Sequence, residues 1–586
     1  RARLSVKWRE QEDSVAGEDM FSVRSQPGTL TRTLPFALLI LCGALQAAPP
    51  EIKTILPRAA IPGKTTEVVI TGKGLETVTG FWSTFDMKAT ISKRDGKELR
   101  VRIEVAEKTP AGIGAIRAIG PAGISNLALF LVDDLGIQAG GEKNTSPSSA
   151  TLVEPPCAID SSTQADQRSY YRFRAKAGQR LSFEVLGQRL GSQLDPVLRI
   201  LNDGGKEVAF NDDAVGADSR LAWRCKKGGE YLVELRDVTY RGGNAFGYRL
   251  RVGDFPMVSA PYPLRAEQGQ STKISIAGVD SADVEDREVR LPDHSSGRAF
   301  NLAARLPGGK SSGFVTLISS ELPELLEKEP NDGMKTAASL EPPCAINGRF
   351  GSERDRDYYS IAGKKGDRIL IRGETRLSGS PTDLYLRLEK PGGDKITDAE
   401  DQSYDPGKDK QKGKNYYFDE GSIDHTFTED GLVILMVEDL TGRGGPEHVY
   451  RVEVRPSRGR FSLELSDTRY HAPAGGDFKV KVHCRRNGYD GPVDLEVTGL
   501  PPGVKAGKAR IEKGKNSVEL KISLGKELKP GSMETFRVFT TIQVGDKTQR
   551  LEAGTREALR KAFPRLFHPP RVLDGLAAFG VTEAKK

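Results

Sequence analysis

The sequence predicts an all-β protein built as tandem β-sandwich domains, and three observations carry that expectation. Apolar residues fall in short runs between turn formers, with 64 glycines and 34 prolines in 586 residues, which favours strands and turns over long helices. Several segments alternate apolar and polar residues with period two, as in Leu99-Arg100-Val101-Arg102-Ile103-Glu104-Val105, the pattern of a half-buried strand. A hexapeptide occurs twice, Glu154-Pro155-Pro156-Cys157-Ala158-Ile159 and Glu341-Pro342-Pro343-Cys344-Ala345-Ile346, and each copy opens a matching series. The series runs through Tyr170-Tyr171 and Tyr358-Tyr359, Gly178-Gln179-Arg180-Leu181 and Gly366-Asp367-Arg368-Ile369, then Asp195 and Asp383. It closes at Arg236-Asp237-Val238-Thr239 and Glu438-Asp439-Leu440-Thr441. A repeat of about 190 residues is far longer than a solenoid unit, so it reads as duplicated domains.

Taken in order, residues 1–48 read as an N-terminal extension and signal peptide. Arg24 and Arg32 precede the apolar run 35–48, which ends in small residues before Pro49-Pro50. This is a secretory pattern, with cleavage expected near Ala47-Ala48. Residues 1–19 fit no element, and Met20 offers a start ahead of the leader. Cys42 follows Leu41 instead of a small residue, which speaks against acylation. No later run is long and apolar enough for an integral membrane segment, so a secreted, periplasmic or cell-surface location is expected. In that compartment Cys157 and Cys225 invite pairing, although the second repeat keeps Cys344 and has no counterpart of Cys225. No CxxC occurs, which argues against structural zinc. With 87 basic and 80 acidic residues interspersed and a net charge of +7, the surface reads as solvated, not as a nucleic-acid groove.

Residues 49–138 hold short alternating strands with glycine turns. Ile61-Pro62-Gly63-Lys64, Ile70-Thr71-Gly72-Lys73-Gly74-Leu75 and Gly120-Pro121-Ala122-Gly123-Ile124-Ser125-Asn126 resemble an IPT/TIG-type immunoglobulin-like domain. The first repeat block occupies 139–254. Residues 255–322 look like a shortened second copy of the immunoglobulin-like domain, through Tyr262-Pro263-Leu264 and Gly269-Gln270-Ser271-Thr272-Lys273-Ile274. The second block covers 323–456; its charged stretch 399–417 lacks apolar periodicity and reads as a loop insertion. Residues 457–550 alternate again, as in Phe478-Lys479-Val480-Lys481-Val482, and predict a third immunoglobulin-like sandwich. The tail 551–586 offers a short helix over 556–567 with Leu559 and Phe563 on one face. Short linkers between independent cores predict an elongated array.

The repeat blocks carry a second resemblance. Glu327-Lys328-Glu329-Pro330-Asn331-Asp332, Asp355-Arg356-Asp357-Tyr358-Tyr359, Asp383-Leu384-Tyr385-Leu386 and Tyr450-Arg451-Val452-Glu453-Val454 resemble the bacterial pre-peptidase C-terminal domain. The first copy matches through Tyr170-Tyr171-Arg172-Phe173, Asp195-Pro196-Val197-Leu198 and Gly247-Tyr248-Arg249-Leu250. The resemblance implies a jelly-roll-like sandwich, found after the catalytic domains of secreted proteases, whose relatives in collagenases bind calcium and the substrate polymer. It implies calcium in the second block, held by Glu327, Glu329, Asn331 and Asp332 with Asp355 and Asp357 from a nearby loop. Hard calcium takes six to eight oxygen ligands; the alternative is a solvated turn, which Pro and Asn also favour. The first copy departs from the pattern, with Gly140, Glu142, Asn144 and Thr145 at the linker and Gln167 and Ser169 in place of Asp355 and Asp357. Asn211-Asp212-Asp213 with Asp218, aligned with Asp419-Glu420 and Asp424, forms another acidic candidate. Tyr170, Trp223 and Tyr240 could line a ligand surface or pack a core.

No catalytic constellation is legible. The six histidines form no HExxH, and neither a Gly-x-Ser-x-Gly elbow nor a P-loop occurs. His425 follows Asp424, but chain neighbours on a strand face opposite ways. The reading is a non-enzymatic exported protein that binds or presents a protein, polysaccharide or matrix polymer at the cell surface. The alternatives are an accessory of a secreted peptidase and a structural envelope spacer.

Overall fold

The computed structural model describes residues 48–584, apart from 96, 142, 294, 296, 401–420, 458, 545–546 and 567. The leader, Glu142, most of the charged insertion and Asp419-Glu420 lie outside the described residues. The architecture is all-β, a succession of sandwiches in which alternating strands bury one face. Glu98–Val105 alternates strictly, with Leu99, Val101, Ile103 and Val105 inward.

The first sandwich pairs a four-stranded sheet with a five-stranded one, whose fifth strand, Gly123–Ile124, pairs with Gly112–Gly120. One runs Glu51–Leu56, Thr65–Lys73, Glu98–Val105, Met87–Asp95; the other runs Ala59–Ala60, Ala128–Val132, Gly112–Gly120, Gly80–Ser83. The two repeat blocks share one topology. In the first, Ile137–Gln138, Cys157–Ser162, Gly247–Gly253, Arg180–Leu186 and Arg220–Arg224 face the sheet Thr151–Leu152, Ser169–Ala175, Gly229–Asp237, Pro196–Asn202, Glu207–Asn211. In the second, Glu324–Leu326, Cys344–Arg349, Val449–Pro456, Arg368–Glu374 and Ser422–Thr426 face Ala338–Leu340, Arg356–Gly363, Gly431–Asp439, Leu384–Glu389, Lys395–Glu400. The register repeats too: Cys157 lies opposite Val252 and Cys344 opposite Val454. Between the blocks sits a smaller sandwich of two three-stranded sheets.

Cys157 and Cys225 do not pair; all four described cysteines are free and buried. Cys157 opens one strand and Cys225 follows Arg220–Arg224, with two strands of the same sheet between them. Three strand spacings amount to about 14 Å, beyond the reach of a disulfide.

The tail is not an appendage. Arg556–Ala562 forms the expected helix, but Ala577–Thr582 is a strand inserted between Arg469–Pro473 and Met533–Val544. All six of its residues are buried, as a central strand of continuous apolar character requires.

The elongated array expected from the linkers is also overturned. The third sandwich folds back onto the first: the Ile124 N–H donates to Nε2 of His471 at 3.0 Å, and buried Arg117 donates to the carbonyl and hydroxyl of Thr468 at 3.2 Å. One apolar cluster joins Leu127, Leu129 and Leu131 of the first sandwich, Leu186 and Leu190 of the first block, and Leu559, Leu566 and Leu573 of the tail, with Phe314 of the second sandwich against it. Each buried leucine contributes roughly 2 kcal/mol, which favours the joined arrangement over separate modules. No helix among the described residues is long and apolar enough to cross a membrane.

Candidate metal centre

The segment leading into the second block spans one end of its sandwich. Glu324–Leu326 runs parallel to Cys344–Arg349, Glu324 opposite Ala345. Its anchor is ionic: the Glu324 carboxylate accepts from buried Arg451 at 2.8 Å and from the Asn347 side-chain amide at 2.9 Å. Glu327 N–H donates to the Asn347 carbonyl at 2.9 Å, and four residues later the Asn331 carbonyl accepts from Tyr358 N–H of the opposite sheet at 2.9 Å. The chain thus crosses from one sheet to the other between Glu327 and Asn331.

Asp357 comes up from below. On Arg356–Gly363 the inward positions are Asp357, Tyr359 and Ile361, so the last inward place before the rim holds a carboxylate. Asp355 stands in the preceding turn, accepting from Gly351 N–H at 2.7 Å. All six predicted ligands therefore come together at this end of the block. Carboxylate oxygens of Glu327, Glu329 and Asp357 lie within 4.8 Å of one another, and so do those of Glu329, Asp332 and Asp355, with Glu329 common to both sets.

Beneath them runs a hydrogen-bonded relay. The Asn331 amide NH2 donates to the Tyr359 hydroxyl at 3.4 Å, Tyr359 and Tyr450 hydroxyls meet at 2.6 Å, and Tyr450 donates to Oδ2 of Asp357 at 2.6 Å. Asn331 and Asp357 are each 0% exposed, and Oδ1 of both has no hydrogen-bond partner among the described residues. A buried oxygen left so costs about 1–3 kcal/mol. The carboxyls register the same discomfort. Burial, helped by neighbouring carboxylates, pushes Asp357 up to about 8 and Glu327 up to about 7. Like charges and burial disfavour ionisation here, and an adjacent cation would favour it. The donors are all oxygen, with no His or Cys in either set, which suits a hard cation such as calcium rather than zinc or copper.

The first block keeps the tyrosines and loses the charges. Tyr171 and Tyr248 hydroxyls meet at 2.5 Å, but Ser169 stands where the second block has Asp357, and Gly140 where it has Glu327. The neutral hydroxyls of Ser161 and Ser169 lie beside Tyr248, and the Asn144 amide donates to the Tyr170 carbonyl at 3.1 Å. A reciprocal exchange accompanies this. A Cβ at Gly348 would overlap Tyr450 and Oε2 of Glu327, and a Cβ at Gly140 would press against Ile159 and the Cβ of Ser161. One block thus pairs Glu327 with Gly348, the other Gly140 with Ser161.

Most of the remaining candidates are taken up by the fold, while Asp213 is exposed. Asp218 is fully buried and accepts from the N–H groups of Gly187, Gln188 and Arg189 and from the Arg189 guanidinium; Asn211 accepts from Arg220 N–H, and Asp424 pairs with Arg368 at 2.6 Å. Trp223 packs in the first block's core against Phe173 and Tyr231, and Tyr170 is buried with its hydroxyl on Glu234. Tyr240 is half-buried under Arg236, 4.5 Å from its ring centre. Thr382, His448 and Asp439 converge, but both partners meet the same Nδ1, at 3.3 and 3.7 Å. A triad needs its base to bridge two ring nitrogens.

Sequence reading missed Tyr262, whose hydroxyl lies 3.3 Å from Oε1 of Glu327. It belongs to the preceding sandwich, 65 residues away, and no linear motif announces such a contact.

No family model and no curated protein sequence matches the chain. Among solved structures it is similar to the Aeromonas hydrophila periplasmic inhibitor of g-type lysozyme, PliG, at 18% identity over 18% of this chain and 95% of that one, TM-score 0.15. It is similar to Bifidobacterium dentium beta-glucuronidase at 10% identity over 34% of this chain and 39% of that one, TM-score 0.20. A third, SGBP-B from a xyloglucan utilization locus of Bacteroides uniformis, matches at 12% identity over 35% and 73%, TM-score 0.15. No functional inference follows from likenesses at these scores.

Proposed function

We propose that the protein is an exported, non-enzymatic binding or scaffold protein whose second repeat block is a pre-peptidase C-terminal-type domain fastened by calcium. The supporting observation is the pair of fully buried oxygens, Oδ1 of Asn331 and Oδ1 of Asp357, left without partners amid Glu327 and Glu329. A solvated turn has no reason to bury them. Glu327, Glu329, Asn331 and Asp357 would hold the ion, with Asp332 and Asp355 on its outer side. Bound calcium supplies positive charge and oxygen coordination. The chain's own part is to fasten the crossing segment across both sheets, presenting the sandwich faces as a stiff surface for a protein or polysaccharide partner. The non-enzymatic reading is supported by His448, whose two partners share one nitrogen.

The test is calorimetric titration of the chelator-stripped chain with calcium chloride, together with its thermal melt. Binding below about 1 mM with a rise of several degrees is expected, since a ligand of the folded state stabilises by mass action. Neither heat nor shift at 10 mM would refute the calcium reading; cleavage of casein by the purified chain would refute the non-enzymatic one.

A further inference from the structure

We infer that the metal centre is composite: Tyr262 of the second sandwich is a positioning residue for Glu327, so metal affinity in the second block and docking of the preceding module are linked. This rests on the calcium reading above.

The observations are local and mutually consistent. The Tyr262 hydroxyl reaches Oε1 of Glu327 at 3.3 Å and the Asn347 carbonyl at 3.4 Å. The same Oε1 accepts from Arg349 N–H at 2.6 Å, so the oxygen is pinned from two modules at once. The Arg349 guanidinium lies 4.7 Å from the centre of the Tyr262 ring, a cation–π contact that orients the phenol. Two residues on, Leu264 N–H donates to Oδ1 of Asn347 at 3.0 Å, and Leu264 is buried with Val449 of the second block. The other Glu327 oxygen, Oε2, lies 3.4 Å from the Tyr450 hydroxyl, whose proton goes to Asp357.

A carboxylate held in this way is pre-set for a cation, and the holder sits outside the domain that supplies the ligands. By reciprocity, whatever favours the Tyr262 contact strengthens metal binding, and metal binding favours the docked arrangement by the same factor. The corresponding place in the first half holds Leu56, Gly140 and Ser162, which offer neither phenol, carboxylate nor guanidinium.

The experiment titrates calcium chloride into the full chain, wild type against Tyr262→Phe and Tyr262→Ala, with melts in chelator as controls. Tyr262→Phe keeps the ring over Arg349 and removes one hydrogen bond, so calcium affinity should fall about three- to tenfold while the melt in chelator stays that of wild type. Tyr262→Ala should lose more than tenfold, and calcium should slow backbone hydrogen exchange at 260–267 in wild type but not in this variant. Unchanged affinity in both variants would overturn the inference while leaving the calcium reading intact. No binding by the wild type would overturn both. A fall in Tyr262→Phe affinity matched by an equal fall of its chelator melt would reduce Tyr262 to a packing residue and overturn the inference as well.

Discussion

The two repeat blocks have the same strand order, the same register and the same buried tyrosine pair, yet they finish one end of the sandwich by opposite means. The first closes it with neutral hydroxyls, Ser161 and Ser169 around Tyr248. The second puts Asp357 and Glu327 there and leaves two buried oxygens without partners. A serine is satisfied by neighbours of its own kind, because each hydroxyl both donates and accepts. A carboxylate only accepts, so a buried cluster of them is relieved by taking up protons or by a neighbouring positive charge. The lesson is that a fold can be duplicated faithfully while the charge of one rim is not, and that a handful of rim positions decide it.

The largest expected effect comes from removing Asp357. Asp357→Ala should weaken calcium binding by about 100-fold or more, since a direct ligand matters at least as much as the outer-shell partners that cost 10–100-fold. Ser169→Ala in the first block should leave calcium titrations unchanged. Asp357→Asn sharpens the contrast by sign: without its buried charge the chain should melt about 2 °C higher in chelator at pH 8, and lower than wild type in millimolar calcium. A variant less stable than wild type under both conditions would contradict the charge argument.

The next effect is the pH dependence in chelator. Folded-state values near 8 for Asp357 and near 7 for Glu327 lie above those of the unfolded chain, about 4. At this site the folded state therefore holds more protons between those limits, and the contribution of these two groups to stability is full below pH 4 and declines as pH rises towards 8. Melts followed from pH 4.5 to 8 should fall in chelator, and the decline should shrink in excess calcium, which needs both groups ionised. A flat profile in chelator would break the comparison.

Gly348→Ser imports the first block's solution into the second. The added side chain meets Tyr450 and Glu327, and overpacking of about 1–3 kcal/mol should show as roughly tenfold weaker calcium binding. The smallest effect is the converse graft. Gly140→Glu with Ser161→Gly and Ser169→Asp should give the first block a weak site, seen as a rise of about 1 °C in the melt at 10 mM calcium on top of the native response. Loss of that native response in the graft would mean that the two ends are not independent.

Much of the fold was legible because period-two alternation is a local consequence of which face is buried, as in Leu99 to Val105. The six candidate ligands came from the resemblance of the repeat block, which places four in one short linker and two in and just before one strand. What escaped was long-range. Nothing in Tyr262-Pro263-Leu264 states that its phenol will meet Glu327, and nothing near Gly348 states that its missing Cβ makes room for that carboxylate. Ala577–Thr582 was read as tail because its partners, Arg469–Pro473 and Met533–Val544, are remote in sequence. The return of the third sandwich depends on Arg117 and Thr468, 351 residues apart.

That return changes how the molecule yields. Beads on a string fail one at a time, each indifferent to its neighbours. Here the Glu583 N–H reaches back to the Pro121 carbonyl at 3.0 Å, and the leucines beside it belong to three regions of the chain, so the modules form a closed circuit. Pulling the tail off the first sandwich strips apolar cover from the first block as well, and heat should take the circuit apart in fewer steps than it has sandwiches.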